Sequence, residues 1–554
     1  MTRLSPSGEA AISVPSLGAL KGFTYPSGVR QFFGVPYGNI SKRWTRAQLV
    51  TSWKDNFHDG TRLGKHYPLP PEYDPKKDYL VPVTETEHFS PWEANDLECL
   101  NLNIALPPAD LPGPHPVMVY IHGGAFFLAG PQHPVFDCAR LVTTSVERRT
   151  PVVTVTIGYR VGLGGFLASR EIQQDLARDN HSGAGNFGLT DQQIALHWVQ
   201  KYIGLFGGDA NNVTLFGESA GAISISHHLL AAEPPKFDRA ILMSGTLNLA
   251  PAWPLEKHQR RYDELLRFLN IDPAAPDTLD QLRRVSQDAL TAATWSIEHA
   301  DFPIYNPCYD GVFHRADPLL LRVAPLPPWL KGFMAGDTRD EGLLWRLVLR
   351  KYTYTHFHTR MGRFLTPAET AKILALYNIT AESESNSPDA FFQGLEALIR
   401  DVLFVIPNYI HFHEPEASPS PSAKPKPRIP MFAYHVDQQS TLANPLKGTA
   451  YHAIDLLYVF QNGDDMSAEQ QALARQMGGD FIDFAYGRDP YKRVDAGGAM
   501  VYGPESKAVW KTEEADESVR GYARMKSILE DGLYQRLFAA VDDIGGERHR
   551  FMNR

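Results

Sequence analysis

The stretch that decides the fold is Val213-Thr214-Leu215-Phe216-Gly217-Glu218-Ser219-Ala220-Gly221. Its first four residues have the character of a strand, and a helix-like segment follows from Ala222 to Leu230. A serine between two glycines at a sharp strand-to-helix turn is typical of a nucleophile elbow, in which the turn holds the serine hydroxyl above the end of a sheet. Glycine is required on both sides because a Cβ there would collide with the neighbouring strand or helix. The sequence therefore predicts that Ser219 is a nucleophile.

Apolar runs on both sides of this turn predict a sheet whose strands alternate with helices. Short runs rich in β-branched and aromatic residues predict strands at 116–121, 152–157 and 239–243, and the spacing of apolar residues predicts a helix over 189–206. Such alternation is typical of a largely parallel sheet covered by helices on both faces. Residues 1–110 alternate short apolar runs with Pro/Gly turns, which predicts a β-meander at one edge. The expected fold class is α/β.

After residue 250 the sequence becomes more helical and irregular. The region from about 250 to 420 is predicted to be a helical insertion over the C-terminal edge of the sheet, where it would form the wall of a substrate gorge. Amphipathic stretches at Tyr262–Leu269 and Pro367–Leu376 support this expectation. Residues 414–429 are rich in Pro and Ser, which predicts a flexible, solvated loop. We expect one domain that spans residues 1–554.

The composition is that of a soluble globular protein, and it argues against several classes of function. The 554 residues are 43% hydrophobic and 21% charged. A formal net charge of -9 argues against nucleic-acid binding, which requires a basic surface, and no apolar run approaches the length of a membrane span. The first ten residues lack the apolar stretch of a signal peptide, and three cysteines in so long a chain do not make a disulfide framework. These observations predict a cytoplasmic protein and specify no oligomeric state.

A serine nucleophile needs donors that stabilise the oxyanion formed when it attacks a carbonyl. The loop His122-Gly123-Gly124-Ala125-Phe126 directly follows the strand predicted to end at Ile121. Its small residues allow backbone N–H groups to face a developing negative charge. We therefore expect this loop, together with the amide after Ser219, to form an oxyanion hole.

The nucleophile also needs a base and an acid that orients the base, and these follow the serine in the order acid, then histidine. The run that starts at Phe333 ends in a polar loop with three carboxylates, and the residues alone do not separate Asp337, Asp340 and Glu341. The candidate bases that follow are His356, His358, His411, His413, His435, His452 and His549. Among them His452 stands where a polar loop leads into a predicted amphipathic helix, which is a suitable mount.

With these residues in place, the chain resembles the type-B carboxylesterase family, the α/β-hydrolases that include carboxylesterases, cholinesterases and fungal lipases. The resemblance covers nearly the whole chain and implies a mostly parallel central sheet, helices on both faces and a large helical insertion over the active site. The motifs that carry it appear in the family's order at Phe33–Tyr37, Glu98–Asn103, His122–Phe126, Tyr159–Gly162, Gly185–Gln193, Phe206–Asp209 and Val213–Ala222.

The resemblance assigns roles that the residues alone leave open. It implies that the acid is Glu341, in the triplet Asp340-Glu341-Gly342, and that the base is His452, three residues before Asp455. It implies that Ser244 supports His452 and that Glu218 either tunes the electrostatics of the site or anchors the turn. The implied oxyanion donors are the amides of Gly124, Ala125 and Ala220, with Gly123 in a supporting position.

One departure from the family concerns a disulfide. Extracellular members close a loop with a disulfide that ends at the position of Cys99, but its partner position holds Tyr67 in this sequence. The bridge cannot form, which agrees with the expected cytoplasmic location.

The resemblance implies a serine carboxylic-ester hydrolase that acts through an acyl-enzyme on a small to medium, hydrophobic ester or lactone. No metal or cofactor is required for this chemistry, and the only partner implied is the small-molecule ester. An alternative is an acyltransferase or cyclising enzyme of specialised metabolism with the same triad. A non-catalytic adhesion protein on the same fold is disfavoured because such proteins lose the serine or the histidine.

Overall fold

The computed structural model of the protein describes residues 4–69, 92–297, 305–314, 323–413, 429–463 and 465–546. Its strands are β1 (Gly8–Val14), β2 (Gly18–Thr24), β3 (Arg30–Pro36), β4 (Gly38–Asn39), β5 (Gln48–Leu49), β6 (Phe57–Asp59), β7 (Asn101–Leu106), β8 (His115–Ile121), β9 (Val153–Ile157), β10 (Gly208–Glu218), β11 (Arg239–Met243), β12 (Trp253–Pro254), β13 (Cys308–Tyr309), β14 (Gly332–Thr338), β15 (Met431–Val436), β16 (Gly498–Tyr502) and β17 (Ala508–Thr512).

The α-helices surround the sheet that these strands form. They are α1 (Ala139–Glu147), α2 (Gly162–Phe166), α3 (Arg170–Arg178), α4 (Phe187–Tyr202), α5 (Ala220–Leu229), α6 (Leu255–Phe268), α7 (Thr278–Arg284), α8 (Gln287–Ser296), α9 (Arg346–Leu349), α10 (Tyr354–Met361), α11 (Pro367–Leu376), α12 (Ala381–Asn386), α13 (Pro388–Arg400), α14 (Ile406–His413), α15 (Ile454–Val459), α16 (Ala468–Ala485), α17 (Glu513–Arg520), α18 (Tyr522–Glu530) and α19 (Tyr534–Gly546). Within the described ranges, no helix has the length and apolar character needed to cross a membrane.

One large sheet runs through the molecule in the order β1-β2-β3-β7-β9-β8-β10-β11-β14-β15-β16-β17, and β6 pairs with β2. Pairing is antiparallel from β1 to β9 and between β16 and β17, and it is parallel from β9 through β8 to β16. Every residue of β8 and β9 is buried, as expected of parallel strands covered on both faces. The predicted α/β class is confirmed.

The predicted strands at 116–121, 152–157 and 239–243 correspond to β8, β9 and β11. The helix predicted over 189–206 begins earlier, at Phe187, and its last turn tightens into a 3₁₀ turn at Ile203–Phe206. Such tightening is common at the C-terminal end of an α-helix because i→i+3 hydrogen bonds satisfy the last carbonyls.

The region from about 250 to 420 differs from the single helical insertion that the sequence suggested. Strand β14 lies in its middle and pairs with β11 on one side and β15 on the other, so it belongs to the central sheet. All seven of its residues are buried. Along the chain, helices α6–α8 therefore precede this sheet strand and helices α9–α14 follow it. Of the loop predicted at 414–429, residues 414–428 lie outside the described residues.

The three cysteines are all buried and form no disulfide. Burial raises the pKa of each thiol, to about 12 for Cys138 and higher for Cys99 and Cys308. Tyr67, which occupies the place of the family's second cysteine, packs against the same apolar core as Cys99. A buried thiol with a raised pKa is a poor nucleophile because the thiolate is the reactive form.

These thiols should be unreactive in the folded enzyme and free after unfolding. We expect dithionitrobenzoate to titrate no thiol under native conditions and all three in guanidinium chloride without reductant. Intact-mass measurement should show three alkylations of the unreduced, unfolded chain. Fewer alkylations before reduction than after it would show a disulfide and contradict the structure.

Candidate active site

Ser219 stands between β10, which ends at Glu218, and α5, which begins at Ala220. Its backbone has φ 53° and ψ -119°, a conformation that residues with a Cβ rarely adopt. Its amide donates to the carbonyl of Met243 at 2.9 Å, which fixes the turn. The side chain is only partly buried although its two neighbours are buried. The predicted elbow is thus present as a strained turn that presents a hydroxyl.

The glycines of the elbow are needed for the reason that the sequence suggested. A Cβ on Gly221 would lie 1.9 Å from the carbonyl oxygen of Ile121, and a Cβ on Gly217 would lie 2.6 Å from the backbone of Gly221. Both positions are contacts with backbone, which cannot move aside as a flexible side chain can. The close approach of α5 to the end of β8 therefore depends on these two residues.

Glu341 is the carboxylate that meets the predicted base. It begins the 3₁₀ turn Glu341–Trp345 after β14, and it is fully buried. Its Oε1 accepts a hydrogen bond from the amide of Thr338 at 2.7 Å, and its Oε2 lies 2.5 Å from Nδ1 of His452. A carboxylate held in this way fixes both the orientation and the tautomer of an imidazole.

The other two candidate carboxylates are engaged elsewhere. Asp340 forms a two-point ion pair with Arg339 and accepts a hydrogen bond from the amide of Ala450 at 2.7 Å, so it ties the acid loop to the loop that carries His452. Asp337 pairs with His435 and Arg520. Among the described residues, neither carboxylate hydrogen-bonds to His452. Of the other candidate bases, His549 lies outside the described residues.

The second nitrogen of His452 faces Glu218. Nε2 lies 3.0 Å from Oε1 of Glu218, whereas Ser219 Oγ hydrogen-bonds to none of the described residues. Sequence reasoning left open whether Glu218 acts on the electrostatics or only anchors the turn. The contact places its charge directly against the imidazole. The signal in the sequence was its position next to Ser219, but the direction of the side chain could not be read from it.

The charges around His452 favour the imidazolium. Burial by itself lowers the pKa of His452, but the charges of Glu218 and Glu341 outweigh it and hold the pKa well above its ordinary value. Burial also raises the pKa of Asp455, and the same two glutamates raise it further. Both oxygens of Asp455 lack a hydrogen bond among the described residues. These conditions disfavour a negative charge on Asp455, and the imidazole of His452 lies between Glu218 and Glu341.

The loop after β8, which the sequence predicts to form an oxyanion hole, has an unusual backbone. Gly124, Ala125 and Phe126 all have positive φ, at 100°, 56° and 57°. Their carbonyls are occupied: that of Gly124 accepts from two amides of its own turn, that of Ala125 accepts from Tyr305, and that of Phe126 accepts from Gly162. The amides of Gly124, Ala125 and Ala220 donate to none of the described residues and so are available to a ligand.

Gly123 shows how closely this loop approaches the nucleophile. A Cβ at this position would lie 2.6 Å from Oε2 of Glu218 and 3.2 Å from Cβ of Ser219. Any larger residue would push the loop away from the elbow. Its supporting role in the sequence prediction therefore has a steric basis.

The expected partnership of Ser244 with His452 is not present in the structure. Ser244 also has a positive φ, at 49°, and its buried Oγ has no hydrogen-bond partner among the described residues. Both imidazole nitrogens already face carboxylates, so neither is left for this hydroxyl. The next residue, Gly245, lies close to the elbow because a Cβ there would be 2.5 Å from the carbonyl oxygen of Ser219.

The helix that follows His452 also differs from the prediction. Helix α15, which follows it, is six residues long and buried at every position, so it is not amphipathic. The ring of Phe404 meets His452 edge-on, with centroids 5.6 Å apart. Phe404 lies in a π-helical turn, Asp401–Val405, between α13 and α14. Pro407 has no N–H to donate to the carbonyl four residues earlier, which gives this widened turn a physical cause.

The sequence analysis did not identify Phe404 as a neighbour of His452. The available signal was Pro407, because a proline within a helical pattern indicates a distorted turn nearby. Single π-helical turns are frequent at functional sites. In the part of the chain that the structure describes, no group of three or more His, Cys, Asp or Glu residues could hold a metal ion.

Comparison with known proteins identifies similar sequences and a similar fold. The sequence model of the carboxylesterase family matches residues 9–528. Lipase 3 of Yarrowia lipolytica is 27% identical over 494 residues, which cover 88% of this chain and 91% of that protein. Para-nitrobenzyl esterase of Bacillus subtilis is 29% identical over 477 residues, covering 82% and 84%. The inactive carboxylesterase-like protein VdtD of Byssochlamys spectabilis is 26% identical over 500 residues, covering 84% and 82%.

A solved structure of PNB esterase superposes with a TM-score of 0.69 at 24% identity, covering 92% of this chain and 99% of that one. This likeness shows the fold. The family match extends over nearly the whole chain, from β1 to within α18. The chain therefore belongs to the carboxylesterase family, and it is a serine hydrolase with the α/β-hydrolase fold.

Proposed function

We propose that this enzyme hydrolyses small to medium hydrophobic esters or lactones through an acyl-enzyme on Ser219, with His452 as base and Glu341 as its orienting acid. The observation that carries the proposal is the buried contact of 2.5 Å between Glu341 and His452, beside a serine held in a strained elbow. The carboxylesterase family supports ester hydrolysis by a serine hydrolase.

The first half of the reaction forms the acyl-enzyme. Ser219 Oγ bonds to the ester carbonyl carbon while its proton passes to Nε2 of His452, and Glu341 stabilises the resulting imidazolium at Nδ1. The carbon–oxygen bond to the alcohol then breaks, and the alcohol leaves with the proton from Nε2. Water repeats the two steps in the second half and releases the acid.

Nε2 must turn from Glu218 to Ser219 before this attack. In the structure it lies 3.0 Å from Glu218, and only a neutral Nε2 can accept the serine proton. Glu218 thus competes with the nucleophile for the base before reaction, and it stabilises the imidazolium once the proton has moved. The amides of Gly124, Ala125 and Ala220 are the donors for the oxyanion in this mechanism.

Aromatic side chains beside the site support an apolar substrate. Phe404 contacts His452, and Phe127 stacks on Tyr305 at 5.8 Å directly after the oxyanion loop. Tyr305 is held to that loop by its hydrogen bond to the carbonyl of Ala125 at 3.1 Å. Apolar rings next to the base and the predicted oxyanion loop favour apolar acyl or alcohol groups over charged ones.

A series of p-nitrophenyl esters from acetate to palmitate tests this proposal. We expect kcat/KM to peak at medium chain length and to be low for a charged succinyl ester of matched size. Equal rates for the charged and apolar esters would contradict the substrate class. Repeating the series with an alcohol or amine acceptor separates hydrolysis from acyl transfer, because a transferase forms the new ester or amide in place of the free acid.

The contact between Glu218 and His452 predicts a specific pH dependence. His452 acts as a base only above its pKa, and the charge of Glu218 raises that pKa. Glu218→Gln keeps the size and removes the charge, so the acid limb of the kcat/KM profile should move to lower pH. The plateau should fall because the imidazolium loses support in the transition state.

The matched control is Glu369→Gln, which removes a glutamate paired with Arg536 on the surface. Its profile should coincide with that of the wild type. An acid limb that stays in place in Glu218→Gln would show that Glu218 does not act on the base.

A further inference from the structure

A buried ionic cluster lies behind the loop that carries Glu341. Its centre is Arg520, the last residue of α17, which is fully buried. Its guanidinium donates to Asp337 at 3.0 Å and to Asp437, and Nε lies 3.6 Å from Asp516. We call these four residues, together with His435, the Arg520 cluster.

Asp337 is the member of the cluster nearest to the acid loop, and it is held from three sides. Its Oδ1 accepts from His435 Nδ1 at 2.9 Å as well as from Arg520, and its Oδ2 accepts from Asn408 at 3.2 Å. The far nitrogen of His435 lies 3.1 Å from the hydroxyl of Tyr522. Burial alone would raise the pKa of Asp337, but His435 and Arg520 lower it below its ordinary value. The carboxylate is therefore charged and fixed.

One residue, Thr338, joins the cluster to the site. It follows Asp337 in the chain, and its carbonyl lies 3.5 Å from Nη1 of Arg520. Its amide donates to Glu341 Oε1 at 2.7 Å, and the other oxygen of Glu341 meets His452. The backbone at Thr338 thus has Arg520 on one side and Glu341 on the other. A shift of the cluster would move the amide that orients Glu341.

We infer that Arg520 is a positioning residue for the Glu341–His452 pair, and this rests on the role of that pair in the proposed function. Arg520 lies 183 residues after Asp337 in the chain, and it ties the C-terminal helices to the end of β14. A buried ion cluster contributes little net stability compared with apolar packing. The distinguishing contribution of Arg520 is the fixed position of the acid loop.

Arg360 provides a matched control for Arg520. It is equally buried and pairs with Asp543 at 2.8 Å, but this pair joins α10 to α19 away from the acid loop. The variants to compare are Arg520→Gln, Arg520→Lys and Arg360→Gln. Rates should be divided by the number of Ser219 sites titrated with a fluorophosphonate, so that loss of folded enzyme does not count as loss of activity.

In Arg520→Gln we expect kcat per titrated site to fall by about 10²-fold, the scale of a misplacement of about 1 Å, with KM little changed. The acid limb should move to lower pH because Glu341 supports the imidazolium less well, whereas the charge of Glu218 still lies against Nε2 of His452. Arg520→Lys should recover part of the loss. Arg360→Gln should lower the melting temperature and leave both the limb and kcat per site unchanged.

An unchanged kcat per site and acid limb in Arg520→Gln would overturn the inference. If that variant does not fold, His435→Phe removes one donor to Asp337, leaves Arg520 in place and should shift the same limb. Wild-type enzyme that fails to label at Ser219 would overturn the proposed function itself. Wild-type labelling with unaffected variants would overturn only the role of Arg520.

Discussion

Replacing Ser219 by alanine should lower kcat by about 10⁶-fold, the scale found when the nucleophile of a serine hydrolase is removed. Alanine removes the oxygen that forms the acyl-enzyme in the proposed mechanism and leaves the elbow, with its positive φ, in place. A fluorophosphonate probe should label the wild type once per chain and should not label Ser219→Ala. Activity on a p-nitrophenyl ester and intact-mass analysis measure the two effects.

Ser226→Ala is the control on the same helix. Ser226 is fully buried on α5, and its Oγ has no hydrogen-bond partner among the described residues, so its loss should affect neither rate nor labelling. Equal labelling of wild type and Ser219→Ala would show that another residue is the nucleophile.

Replacing Glu341 by glutamine should cost about 10³–10⁴ in turnover, as expected when the orienting acid of a serine triad loses its charge. The amide would still fit the buried position and could still accept from Thr338. It could also present an N–H to His452 and so favour the wrong tautomer. Measurement of kcat with the folded fraction checked by circular dichroism separates this effect from unfolding.

Asp340→Asn is the matched variant one residue away. Its oxygen can still accept from the amide of Ala450, so the loop of His452 stays tied and we expect a loss of no more than about tenfold. If Asp340→Asn were the crippling change while Glu341→Gln kept near wild-type turnover, the assignment of the acid would be wrong.

The elbow could be predicted from the sequence because it is local. The strand, the two glycines and the helix lie within a few residues of one another, and steric contacts require glycine at the two positions beside the turn. The strands of the parallel sheet were predictable for the same reason, since a buried strand is a short continuous apolar run. Strand β14 was visible as such a run, but the helical sequence around it concealed that it divides the region at 250–420.

The contacts that complete the site depend on long-range packing. Residues alone did not separate Asp337, Asp340 and Glu341, because only the fold determines which carboxylate meets a histidine 111 residues later. The direction of Glu218 and the isolation of the Ser244 hydroxyl have no local pattern, and Pro407 signals the π-helical turn without showing that Phe404 meets His452. Arg520 meets Asp337 through the packing of α17 behind the sheet, which periodicity cannot show.

The backbone of Ser219 has a consequence for the evolution and engineering of this enzyme. A residue with a Cβ at φ 53° and ψ -119° holds about 1–3 kcal/mol of conformational strain, which glycine would not. Ser219→Gly should therefore melt at a higher temperature than Ser219→Ala, although we expect both variants to be inactive. The most direct route to a more heat-stable chain at this position passes through loss of the nucleophile. The strained backbone is therefore the cost in stability of presenting the proposed nucleophile at this turn.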